Sequence, residues 1–204
     1  MKAITCKNIA AVGAVLCSLF LAPAAIAEGD AEQGAVIGYS CLGCHGIEGY
    51  RNAYPSFRVP RLGGQKPEYV RSALQAYRDG TRSHTTMNAQ GESLSDDEID
   101  NVIAWLAELP TVVDTVTEAM VADLPAAKAC IACHGEAGSG VMPAPATLSG
   151  QQQDYLAHSL KAYRDGGRTG SVMSAFAGAL TDDDIEAISR FYAGQDGLQT
   201  LSID

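Results

Sequence analysis

Three observations on this 204-residue chain predict an all-α fold of two similar domains in tandem. A Cys-x-x-Cys-His pentapeptide occurs twice, as Cys41-Leu42-Gly43-Cys44-His45 and Cys130-Ile131-Ala132-Cys133-His134. From Leu62 onward the first half recurs at an offset of 86, with 12 of 26 positions identical between Leu62 and Met87. The repeated segments carry helical rather than alternating apolar spacing, bounded by capping residues and glycines.

The chain opens with Lys2 and Lys7, an apolar run from Ile9 to about Leu21 and the small-residue site Ala25-Ile26-Ala27. This pattern reads as a secretory signal peptide over residues 1–27, cleaved on export to the periplasm. A membrane anchor is the alternative, but the apolar core is short, and no later stretch approaches the roughly 18 apolar residues of a span. Cleavage removes Cys6 and Cys17, so the four remaining cysteines are those of the motifs and none is left for a structural disulfide. It also removes two lysines and no acid, moving the formal charge from −10 to −12. An acidic surface argues against nucleic acid. It suits a soluble protein that meets basic patches on its partners.

The first domain is expected over 28–110. Asp30 caps a helix leading into the first motif, and a Gly-, Pro- and aromatic-rich loop follows from Gly46 to Gly64. A helix runs from Pro67 to Asp79, with Pro67 in its first turn and Gly80 as its stop. Tyr69, Val70, Ala73, Leu74 and Tyr77 share one face of it. A loop then carries Met87, and a last helix starts at Ser95 with a capping box to Glu98 and an inner face of Ile99, Val102, Ile103 and Leu106. The second domain, 111–204, repeats this order through Tyr155, Leu156, Leu160 and Tyr163, then the Thr181–Asp184 cap, then Ile185, Ile188 and Tyr192. A linker lies at about 110–117, Val112 to Ala122 combines linker and leading helix, and Pro125 limits that helix. A domain of 80–90 residues is marginal on its own core, so a buried cofactor would supply apolar contact.

Cys-x-x-Cys-His is the attachment signature of c-type haem. Two thiols add across the porphyrin vinyls as thioethers, and the adjacent histidine offers its imidazole to the iron. A lone Cys-x-x-Cys would be ambiguous between zinc, a thiol–disulfide pair and haem. The following histidine and the recurrence point to two covalently bound haem c groups, on Cys41 and Cys44 and on Cys130 and Cys133, with His45 and His134 as proximal ligands. Met87 and Met173 stand 42 and 39 residues after those histidines at repeat-related positions, which makes them the candidates for the sixth ligand. Met142 lies too close to His134, and Met120 has no counterpart. His84 competes in the first site, but its repeat position is Gly170; His158 reads as a surface or interdomain residue.

Gln65, Tyr77, Arg78 and Arg82 recur as Gln151, Tyr163, Arg164 and Arg168. Haem packing, propionate pairing, an interdomain contact and inherited helix-surface polarity all remain open for them. Trp105 corresponds to Phe191 and reads as a core aromatic.

Over about residues 28–195 these elements resemble the dihaem cytochromes of the cytochrome c₄ type, tandem class I cytochrome c domains. The resemblance rests on the two motifs, each followed by glycine, and on the Leu-x-Gly-Gln, Tyr-Arg-Asp-Gly-x-Arg and distal Met elements. It implies His/Met ligation by His45 with Met87 and His134 with Met173. It also implies electron transfer rather than catalysis, in the periplasm of a respiratory or photosynthetic chain, for example from a quinol-oxidising complex to a terminal oxidase. Peripheral contact with the membrane is compatible with such a role. Two other functions stay open: the dihaem subunit of a dehydrogenase such as flavocytochrome c sulfide dehydrogenase, and an enzyme with a labile distal ligand, such as a dihaem peroxidase. The chain departs from the family in its long first loop, Ile47 to Tyr54, and around Asp123-Leu124-Pro125.

Overall fold

A computed structural model describes residues 29–108, 124–136, 138–140 and 145–202. The expected signal peptide, the linker with its leading helix, Met120 and Met142 lie outside these residues. The described residues are helical, with only isolated β-bridges between extended segments.

In the first half α1 spans Ala31–His45, α2 Pro67–Arg78, α3 Thr85–Ser93 and α4 Asp96–Ala107. In the second, a 3₁₀ turn at Pro125–Ala127 leads into α5, Lys128–His134, followed by α6 Gln153–Arg164, α7 Met173–Ala177 and α8 Asp182–Ala193. The caps are where the sequence puts them. The Asp30 carboxylate accepts from the amides of Glu32 and Gln33 at 2.9 and 3.1 Å. Ser95 with Glu98 and Thr181 with Asp184 close complete capping boxes.

One expectation is corrected. Met87 and Met173 do not sit in loops: Met87 is the third residue of α3 and Met173 the first of α7. The segment from Thr85 to Ser93 has no apolar stripe to announce a helix. Its start is fixed locally instead, by the Met87 amide donating to His84 Nδ1 and the His84 amide donating to Asn88 Oδ1. His84 is therefore the N-cap of the helix that carries Met87.

The first core gathers Val70, Leu74, Ile99, Val102, Ile103 and Leu106, with Met87 and Trp105 packed against it. The helices α1 and α4 cross closely because α1 presents glycine at the contact. A Cβ on Gly34 would lie 1.9 Å from the Asn101 carbonyl oxygen, and one on Gly38 would lie 2.3 Å from Trp105 Cζ3. Gly34→Ala should therefore lower stability by about 2–3 kcal/mol, at the upper end of ordinary overpacking. Guanidinium unfolding followed at the main haem absorbance checks this, and an unchanged midpoint would refute the close crossing. In the second half Ala127, Leu156, Ile188 and Tyr192 form the core.

The C-terminal segment returns to the first half. Leu198 N donates to Ser149 O at 2.8 Å, while Gln199 exchanges two 2.9 Å backbone hydrogen bonds with Gly63. Ser149 and Gly63 are repeat equivalents, so consecutive tail residues bind matching points of the two halves. Leu201, 3% exposed, then enters the first core, and its amide donates to the His45 carbonyl at 3.1 Å. In the second half the His134 carbonyl is satisfied locally, by the Gly140 amide at 2.6 Å. Leu201→Ala removes a buried leucine from a core it shares with distant chain, and a loss of about 2–3 kcal/mol is expected. Thermal unfolding of the holoprotein reads it; a change within error would mean that the tail is not part of that core.

Candidate functional site

One continuous cavity of about 880 Å³ runs between the halves. Its wall contains all eight residues singled out by the sequence: Cys41, Cys44, His45 and Met87 from the first half, and Cys130, Cys133, His134 and Met173 from the second. The four cysteines form no disulfide with one another. Burial pushes the Cys41 and Cys130 thiols up, which disfavours the thiolate that a redox dithiol or a zinc site needs.

Each motif ends its helix with the histidine in the last turn. His45 Nδ1 lies 2.8 Å from the Pro60 carbonyl oxygen, and His134 Nδ1 lies 2.8 Å from that of Ala146. A carbonyl only accepts, so Nδ1 carries the proton and Nε2 keeps its lone pair for a ligand bond. Burial pushes both imidazoles below their ordinary value and so favours this neutral form. Pro60 and Ala146 are repeat equivalents but not identical residues, because only the backbone oxygen is used.

The two amides recurring in the repeat act across the domain boundary. Gln65 Nε2 donates to the Thr147 carbonyl at 3.1 Å, and its Oε1 accepts from the Thr147 amide at 2.8 Å. Gln151 does the same to Arg61, at 3.0 and 2.8 Å. The recurring arginine pairs separate into two kinds. Arg78 binds the carbonyls of Gly91 and Leu94 and the Asp96 carboxylate, and Arg164 binds the Leu180 carbonyl and Asp182. These two tie the middle helix of each half to the start of its last helix and stand away from the cavity.

Arg82 and Arg168 belong to the cavity wall. They meet at an isolated antiparallel bridge, Arg82 lying over the Tyr77 ring at 4.4 Å and Arg168 over the Tyr163 ring at 4.3 Å. Arg82 also donates to the Tyr155 hydroxyl at 2.5 Å, and Arg168 to the Tyr69 hydroxyl at 3.3 Å. Arg82 is 6% exposed, and among the described residues neither guanidinium has a carboxylate within ion-pair distance. Desolvation would raise the Tyr69 hydroxyl, yet the charges of Arg82 and Arg168 outweigh it and bring it down to about 7. At Tyr155 and Tyr77 burial prevails, helped by the neighbouring tyrosines against the pull of Arg82, and pushes the hydroxyls up. The wall is thus positive and apolar, with thiol pairs beside imidazoles whose Nε2 is free. That donor set fits a covalently held haem with two acidic side chains.

Residues that the motifs did not reveal complete the boundary. Phe57, 5% exposed, stacks on His158 at 4.3 Å and meets the His84 ring edge-on at 6.1 Å. This makes His158 an interdomain residue. Part of the long first loop is spent on the same boundary, through the ion pair between Arg51 and Asp154 at 2.9 Å.

Comparison with known proteins agrees with this geometry. Residues 31–110 match the family model for cytochrome c, and residues 124–191 match that for subunit III of cbb3-type cytochrome c oxidase. A "Thiosulfate dehydrogenase electron acceptor" of Stutzerimonas stutzeri strain A1501 is 33% identical over 81% of this chain and 82% of its own. A "Cytochrome c4" of Pseudomonas aeruginosa is 31% identical over 88% of this chain and 96% of its own. The crystal structure of reduced recombinant cytochrome c4 from Pseudomonas stutzeri superposes with a TM-score of 0.66 at 28% identity, covering 82% of this chain and 99% of that one.

Proposed function

The chain belongs to the cytochrome c₄ family of dihaem electron-transfer cytochromes, with two covalently bound haem c groups, and from that premise we propose a role as a periplasmic electron carrier. Residues 1–27 direct export, and the two haem domains span 28–110 and 111–204. Cys41 and Cys44 hold the first haem and Cys130 and Cys133 the second. The axial pairs are His45 with Met87 and His134 with Met173. The observation that carries this reading is the convergence of two complete sets of these residues on one cavity.

Haem supplies a one-electron Fe(III)/Fe(II) couple. The chain's own residues keep that couple fast and reversible. The Pro60 and Ala146 carbonyls hold each imidazole in one orientation and raise its basicity. The methionine sulfurs, soft donors, favour the reduced state and close the position where a substrate could bind. Arg82 and Arg168, both on the cavity wall, would offer charge to haem carboxylates. With geometry fixed in both oxidation states, little reorganises when an electron passes.

The donor proposed first is a quinol-oxidising complex and the acceptor a terminal oxidase. A second reading, the electron acceptor of a sulfur-compound dehydrogenase, is favoured by the name of the Stutzerimonas relative. Stopped-flow mixing of the oxidised protein with each donor separates them. Rapid reduction by a quinol-oxidising complex and rapid reoxidation by an oxidase support the first. Reduction only by a thiosulfate-oxidising dehydrogenase supports the second, and failure with every donor rejects the carrier role.

A further inference from the structure

The two buried glutamines connect to the histidines by a path that crosses the molecule. Gln151 grips both backbone groups of Arg61, and the neighbouring carbonyl, that of Pro60, holds His45 Nδ1. Gln65 grips both backbone groups of Thr147, and the neighbouring carbonyl, that of Ala146, holds His134 Nδ1. Each glutamine therefore reaches the proximal histidine of the other half. We infer that Gln65 and Gln151 are positioning residues for the haem of the opposite domain.

The arrangement is built for this. Gln65 is 6% exposed and Gln151 4% exposed, so neither amide exchanges its partner for water. Each Oε1 also accepts from the next residue's amide, Lys66 or Gln152, at 3.0 Å. Two amide N–H groups converging on one atom fix which end of the side chain is oxygen. Among the described residues the gripped residue's N–H and C=O bond only to this amide, so losing it leaves both unpaired. The peptide next to it, whose oxygen holds the imidazole, is then free to tilt. A looser Nδ1–H···O bond makes the imidazole a poorer donor and destabilises the ferric state. The same two-way grip occurs in both directions, with repeat-equivalent residues at every step. Whatever perturbs one domain at its glutamine is thus felt at the other domain's iron.

This inference rests on the axial reading above, and its test keeps the two apart. Gln65→Met and Gln151→Met preserve side-chain length and remove the amide. Two quantities are measured on the holoprotein: both haem potentials by spectroelectrochemistry, and solvent exchange of each proximal Nδ1 proton by NMR of the reduced protein. In Gln151→Met the His45 proton should exchange faster and the first haem's potential should rise, with His134 and the second haem unmoved. Gln65→Met should give the mirror result. The wave displaced by Met87→Ala identifies the first haem. If that substitution displaces no wave, the axial reading fails, while proton exchange still decides the glutamine inference. The shorter amides of Gln65→Asn and Gln151→Asn should give the same crossover at smaller size should a Met variant fail to load haem. Effects confined to the glutamine's own domain, equal effects in both, or none in either would overturn it.

Discussion

Met87→Ala is expected to remove the sulfur-to-iron absorbance at the red end of the spectrum from one of the two haems. It should lower that haem's potential by a few tenths of a volt, within the roughly 0.8 V that axial ligands span. The cause is chemical. A thioether favours Fe(II), and replacing it by water or a nitrogen base removes that preference. The cause is also local, because Met87 packs against the first core and lines the cavity, which Met173 lines from the second half. The second haem should keep its band, and Met173→Ala should reverse the pattern. Absorbance of the ferric protein and a redox titration read both effects. A band that survives Met87→Ala unchanged would make another residue the ligand. His84 is poorly placed for that role, because its Nδ1 already accepts the Met87 amide.

Arg82→Leu is expected to cost about 1–3 kcal/mol, the penalty of leaving a buried hydroxyl without its donor. Arg82 bonds the Tyr155 hydroxyl from the other half and lies over the Tyr77 ring of its own. Its loss leaves the Tyr155 hydroxyl and the Tyr77 ring without their cation. Arg82→Lys should recover only part of the loss, since an ammonium lacks the planar fork that serves two partners while stacking on a third. Guanidinium unfolding of the holoprotein measures this. A loss under about 1 kcal/mol would place the cluster among surface ion pairs, which contribute little.

Much of this was legible in the sequence for identifiable reasons. The pentapeptide declares its chemistry because thioether spacing and an adjacent imidazole allow few other uses. The capping boxes at Ser95 and Thr181 follow from local rules, and so do the inner faces of α4 and α8. The helix under Met87 was not legible, because it is fixed by His84 and Asn88 rather than by an apolar stripe. The repeat marked Gln65 and Gln151 as a pair but could not say that each grips the other half. Duplication records what is copied and not which copy it faces. Arg78 and Arg82 looked alike in the repeat, and only tertiary packing sends one to the start of α4 and the other to the cavity. Leu201 has no repeat counterpart, so nothing local announced that the last residues complete the first core.

The central claim is two closed redox centres in tandem, and spectroelectrochemical titration of the purified holoprotein tests it most directly. The account predicts two one-electron steps per chain, sulfur-to-iron absorbance from both ferric haems, and no rapid binding of carbon monoxide to the reduced protein. A single haem per chain, or rapid carbon monoxide binding at either haem, would contradict it.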